Sequence, residues 1–157
     1  MSDTVKHYMW KDGESDNSPT GTKDIEVRFP GIKYSKCVGL NSRGKRKNVH
    51  IEKLSDRGEL KVWQDPEKVL REATDITFSF YFTGVNRQAV YDSFMDYIGN
   101  GKINYWDTVR KKHAYMIFVD QAKPKEDVYK GSVPYILVEL KMQNLWGECP
   151  TKEATEF

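Results

Sequence analysis

The sequence is poor in the residues that would announce a chemistry or a compartment. It holds only Cys37 and Cys149 in 157 residues, so no disulfide framework can be read from it. A Cys37–Cys149 bridge stays open, and two reduced thiols in an intracellular protein are the expectation. Histidine is scarce too: His7, His50 and His113 lie far apart, none at metal-ligand spacing from another. They read as exposed or strand-edge residues. His50-x-Glu52 begins a zinc-deaminase signature, but the Pro-Cys-x-x-Cys that must follow is absent. Apolar runs are short, none approaching the ~18 residues of a transmembrane helix. "MSDTVKHYMWKDGESD" at the start lacks the apolar stretch of a signal peptide. We therefore expect a soluble, cytoplasmically made protein without membrane contact. Charge of one sign is also missing. Lys and Arg number 25 against 23 Asp and Glu, a net +2, so no global field draws the chain to nucleic acid.

What is abundant is aromatic: 13% of the chain, concentrated where the hydrophobic period is two. Aromatic and β-branched side chains suit the half-buried face of a pleated sheet. The length suits one domain, 1–157, able to bury a core without staples. "TVKHYMW" reads as a strand. The polar segment 11–24 reads as an exposed loop or arm. Strands "IKYSKCVG", "NVHIEKL" and "ELKVWQ" follow, the first two joined by a basic connection at 40–48. "DPEKVLREA" reads as one helical turn, with Asp65 as cap and Pro66 at the first position.

The clearest strand runs from Asp75 to Thr83, with Ile76, Phe78, Phe80 and Phe82 on one face and Thr77, Ser79 and Tyr81 on the other. Beyond Gly84, Asn86 is placed to cap a helix in which Val90, Tyr91, Phe94, Met95, Tyr97 and Ile98 share a face. Gly99 and Gly101 then supply the left-handed backbone that ends helices. A phosphate loop would precede a helix; Gly99, Asn100, Gly101 and Lys102 follow one, so they read as a terminator. "KINYWDTV" and "HAYMIFVDQ" form a hairpin, and "SVPYILVELKMQN" a long strand with Ile136, Val138, Leu140 and Met142 on one face. Residues 147–157 read as a C-terminal tail. The expected fold is mainly β (α+β): an antiparallel sandwich or partly closed barrel with one amphipathic helix packed on it. Phe78, Phe80, Phe82, Phe94, Ile98, Ile117, Ile136, Val138 and Leu140 are the expected core.

Three constellations invite a chemical reading. Cys37 and His50 lie on neighbouring predicted strands as a possible nucleophile and base, without an orienting third residue. Asp107 and Asp120 sit at strand ends, where acids cap turns more often than they catalyse. Arg43, Lys45, Arg46 and Lys47 make the one basic cluster, a candidate contact for nucleic acid or for assembly. It equally suits a solvated hairpin tip, and it lacks the interleaved aromatics on which bases stack. No catalytic, cofactor or metal residues are assigned.

"FSFYFTGVNRQAVYDSFMDYIGNGKINYWDTVRKKHAYMIFVDQ", followed by "VPYILVELKMQN", resembles the tail-tube and distal-tail proteins of long-tailed bacteriophages over residues 74–146. There a strand leads into one amphipathic helix, then a glycine-marked turn and a strand with an aromatic–Asp pair, here Tyr105, Trp106 and Asp107. The resemblance implies a non-enzymatic phage or prophage subunit without cofactors. Its partners would be copies of itself, typically a hexameric ring joined through sheet edges, and other tail proteins, with 11–24 and 40–48 free to mediate stacking. Such a protein assembles in the bacterial cytoplasm and ends in the virion tail. A small-ligand-binding β-barrel and a nucleic-acid-binding domain using residues 43–47 are the alternatives.

Overall fold

The structure, a computed structural model, describes residues 5–14, 17–45, 50–54, 59–63, 71–130 and 133–157. Nine strands are seen among them: β1 (His7–Trp10), β2 (Ile32–Val38), β3 (His50–Leu54), β4 (Glu59–Trp63), β5 (Thr74–Thr83), β6 (Ile103–Asp107), β7 (Ala114–Gln121), β8 (Lys125–Lys130) and β9 (Val133–Asn144). Two α-helices accompany them, α1 (Ile25–Arg28) and α2 (Arg87–Ile98). No helix of the described residues is long and apolar enough to cross a membrane. The proposed helical turn at 65–73 falls largely outside the described residues.

Seven strands form one antiparallel sheet in the order β1-β6-β7-β9-β5-β2, with β8 on the β9 edge that β7 leaves open. β3 and β4 form a separate two-stranded ribbon. The strictly alternating β5 is central and pairs along its whole length with β9, from Thr74↔Asn144 to Thr83↔Tyr135. Its Ile76, Phe78, Phe80 and Phe82 are fully buried, beside Ile136, Val138, Leu140 and Met142 of β9. Each such side chain contributes roughly 1.5–3 kcal/mol on leaving water.

The sheet curls strongly. Adjacent strands lie about 4.8 Å apart, so β5 and β6, three places apart, would be about 14 Å apart in a flat sheet. Instead the Phe78 and Tyr105 rings meet at 4.9 Å. The two ends of the strand path approach as well, His7 of β1 stacking on Tyr34 of β2 at 3.8 Å. No ladder joins β1 to β2. The architecture is thus the partly closed barrel, its seam made by side chains. α2 covers the Phe80–Phe82 end of the inner face: Phe94 lies 5.3 Å from Phe80 and 5.8 Å from Phe82, and Ile98 is buried beside it.

Several local expectations change. Ile117 is only half-buried; Ala114 and Met116 fill the core instead. Their partners Tyr105 and Ile103 fix that register, which sends the odd-numbered positions at 115 and 117 outward. Asn86 makes no side-chain cap to α2; the first turn is tied by the Arg87 amide and guanidinium donating to the Gly84 carbonyl. Gly99 is right-handed, and only Gly101, at φ 83°, takes the left-handed conformation. Segment 11–24 exposes Asp12, Gly13, Asn17, Gly21 and Thr22 but turns inward at Lys23 and Asp24. Lys23 donates to the carbonyls of Glu14 and Ser18, and Glu14 accepts from Arg28 at 2.6 Å and Tyr97 at 3.0 Å.

Candidate functional site: the sheet seam and the basic loop

The seam is built by a bulge. β2 pairs with β5 as Tyr34↔Phe80 and then Lys36↔Ser79, leaving Ser35 extra. The inserted residue reverses the alternation, so both Tyr34 and Cys37 face inward. Opposite them, β1 brings His7 and β6 brings Tyr105 and Asp107, paired as His7↔Asp107.

Asp107 ends β6 and is buried. Its Oδ1 accepts from the amides of Val109 (3.0 Å) and Arg110 (2.6 Å), the side-chain capping that makes Asp common at turns. Its Oδ2 lies 3.4 Å from the Tyr105 hydroxyl and 3.5 Å from Arg110 Nε. The turn aims the Arg110 guanidinium across the seam, where it donates to the Tyr34 hydroxyl at 2.8 Å and the Cys37 carbonyl at 3.4 Å. His7 Nδ1 is 2.7 Å from the Tyr105 hydroxyl. A surface cleft of ≈ 270 Å³ opens over this network, lined by Val5, His7, Tyr34, Asp107, Val109 and Arg110.

The electrostatics oppose reaction. Burial pushes the Cys37 thiol up to about 12, so the thiolate a nucleophile needs is not formed. Burial lowers His7 below its usual range, partly offset by Asp107, and raises the Tyr105 hydroxyl well above its own. Each group is held neutral, and His7 and Tyr105 are hydrogen-bonded to one another, which suits a structural closure.

The structure does not assemble the other constellations. β2 neighbours β5, and His50 belongs to the separate ribbon, so Cys37 and His50 are not on adjacent strands. Asp107 and Asp120 stand at opposite ends of the β6–β7 hairpin. His7 and His113 are buried rather than exposed. Both cysteines are free and buried, and among the described residues no three potential ligands converge on a metal position. A second open cleft of ≈ 310 Å³ on the outer sheet face carries Lys36, Lys123 and Lys125 around Ser79 and Glu139.

Of the basic cluster, Arg46 and Lys47 lie outside the described residues. Arg43 is exposed and pairs with Glu148 at 3.1 Å, while Lys45 is exposed. Their base is fixed. Gly44 N–H donates to the Gly147 carbonyl at 2.7 Å, Glu72 N–H donates to the Lys45 carbonyl at 2.8 Å, and Arg71 links Gly44 to Glu148. A Cβ at Gly44 would sit 1.8 Å from the Glu72 carbonyl oxygen, so the three segments meet only because position 44 has no side chain. Sequence reasoning did not find Arg110 or Tyr34; the Asp two residues before Val109 was their only local signal.

No family model matches the sequence, and no curated protein matches it. Solved structures similar to the chain include two from phages. One is the Dit protein (gp 19.1) of SPP1, described as a paradigm of the hub adsorption apparatus in phages infecting Gram-positive bacteria. It is 7% identical, with a TM-score of 0.48 over 90% of this chain and 50% of that one. Another is the phage P2 baseplate in its activated conformation with Ca, 14% identical, with a TM-score of 0.47 over 87% of this chain and 43% of that one. The chain therefore spans half or less of the length of these proteins.

Proposed function

We propose that the chain is a non-enzymatic structural subunit of a phage or prophage tail, closing into rings with copies of itself and contacting other tail proteins. The observation that carries this reading is a pair of unlike edges without an outward ladder. In the run β2-β5-β9-β8, β2 and β8 bound the sheet from opposite sides, and neither has a ladder partner outward among the described residues. Copies joined β8-to-β2 make a head-to-tail contact, which closes into a ring when the rotation permits. It supplies backbone partners along the part of β2 that the His7–Tyr34 stack and the Arg110 bond to the Cys37 carbonyl leave uncovered. Both edges are guarded against indiscriminate pairing. β2 carries Lys33, Lys36 and the Ser35 bulge, and β8 begins with Lys125 and Glu126 and has its own register shift.

Two further observations support it. The strand–helix–strand order of the resemblance is realised as β5, α2 and β6, with Tyr105, Trp106 and Asp107 together on β6. The seam holds its titratable groups unreactive. The ligand-binding barrel fares less well, because Phe78, Phe80, Phe94 and Tyr105 occupy the interior with ring separations of 4.9–5.6 Å.

Cross-linking of a mixture of ¹⁴N- and ¹⁵N-labelled protein at high concentration tests the edge pairing. Mixed-isotope links between Lys33 or Lys36 and Lys125 are the expected result. Links confined to single-isotope pairs would exclude β8-to-β2 assembly.

A further inference from the structure

An aromatic cluster separate from the main core gathers Tyr8, Trp10 and Trp106, with Phe157 packed on it. Residues 150–157 lie across this cluster through a few contacts. The Phe157 ring is 5.6 Å from Trp10, 6.0 Å from Trp106 and 5.0 Å from His113. Trp106 Nε1 donates to the Lys152 carbonyl at 2.9 Å and the His113 amide to the Pro150 carbonyl at 2.9 Å. The Lys152 amide donates to Lys111, whose ammonium reaches Glu153 at 2.7 Å. β1 and β6, on the other side of His113, are laddered into the sheet. Residues 150–157 have no ladder of this kind, only the isolated bridge Lys112↔Thr151 and the contacts above.

His113 lies beneath it with one nitrogen satisfied and one not. Asn104 donates both amide hydrogens, to the Trp10 carbonyl at 3.3 Å and to Asp12 at 3.0 Å. Its oxygen must therefore accept the 2.8 Å bond to His113 Nε2, which fixes the imidazole as the Nε2–H tautomer. Nδ1 is buried and has no hydrogen-bond partner among the described residues. The imidazole stacks on Trp10 at 5.6 Å and meets Trp146 edge-to-face at 4.8 Å, apolar surroundings in which a bare lone pair is tolerable. Once protonated, Nδ1 becomes a charged donor with nothing to donate to, which burial penalises heavily.

We propose that residues 150–157 form an acid-released latch over the Trp10–Trp106 groove, with protonation of His113 as the trigger. The charges facing His113 are Asp12, which favours its protonation, and Lys152 on the latch itself, which opposes it. Burial is the dominant influence and brings the closed state down to about 4 from the ordinary 6.5. The sign follows. An open-state imidazole binds its proton below 6.5 and a closed one only near 4, so docking is at full strength above pH 6.5 and weakens as pH falls between those values. At pH 5 the closed-to-open ratio should be about 20-fold lower than at pH 7.

Hydrogen exchange by mass spectrometry, corrected for intrinsic rates, measures this ratio on the intact chain. Protection across 150–157 should fall about 20-fold from pH 7 to pH 5, while β5 and β9 stay protected. In His113→Asn the latch should lose its pH dependence. Independently of how that variant folds, the His113 ring resonances of the unaltered protein give a second reading: the Nε2–H tautomer at pH 7, titrating below 6.5. Unchanged protection of 150–157 at pH 5, or a His113 that titrates at 6.5 with the latch still protected, would overturn the proposal.

Discussion

Phe80→Ala should lower the free energy of unfolding by about 3–5 kcal/mol, the usual penalty for deleting a buried aromatic. Phe80 is fully buried at the centre of β5, paired with Tyr34 on one side and Val138 on the other. Its ring lies 5.6 Å from Phe78, 5.3 Å from Phe94 and 6.2 Å from Tyr34. Truncation therefore opens a void where β5, α2 and the seam meet, and no neighbour can fill it without leaving its own position. Against a total stability of about 5–15 kcal/mol for a domain, the loss is a third or more of the total over most of that range. Tyr81→Ala is the control, since Tyr81 lies on the opposite face and is half-buried; it should cost clearly less. Urea titrations with an unchanged slope would read both differences. Equal costs would mean that the inner face of β5 is not the core.

The second large effect is expected at the seam. Asp107→Ala removes the acceptor of two turn amides and the anion beside Arg110. The loss should be on the order of 2–4 kcal/mol, combining a lost turn cap with buried donors left unpaired. Asp107→Asn keeps an acceptor for the amides but loses the charge, and should fall between wild type and the alanine variant. A local readout separates seam loosening from general destabilisation. Freed from Asp107, Arg110 no longer bridges to Tyr34 and the Cys37 carbonyl, so Cys37 should react faster with a thiol reagent than in a core variant of matched stability. An alanine variant within ~0.5 kcal/mol of wild type, the ordinary range for uneventful surface changes, would show that the seam does not depend on this carboxylate.

The contrast between β5 and β2 shows what the sequence makes legible. In β5 the period of two is unbroken, and every side chain fell on the expected face. β7 offers apolar residues at both parities, so periodicity alone put Ile117 inside, where pairing with Tyr105 and Ile103 puts Ala114 and Met116. The bulge at Ser35 is a one-residue insertion with no compositional mark, yet it sets the inward direction of Cys37. The helix and both its ends, Asn86 and Gly99, were visible from apolar spacing and turn residues, but the chemistry of the ends was not: Asn86 makes no side-chain cap and Gly99 is right-handed. As for the seam, Asp107 was legible as a turn cap. His7, Tyr34 and Arg110 were not, because residues so far apart in sequence meet only through the curl of the sheet. Arg43 and Lys45 are exposed as a basic loop should be, but the Gly44–Gly147 contact that anchors them depends on tertiary structure.

Assembly is best read by electron microscopy of the purified protein at high concentration, alone and mixed with tail proteins from the same source. Closed rings or short stacks of rings are expected, with subunits meeting along β8 and β2. A monomer in dilute solution is compatible with it, because each edge is guarded until a partner is abundant. Particles that remain single subunits under both concentrated conditions, above all if a small ligand survives purification with them, would contradict it.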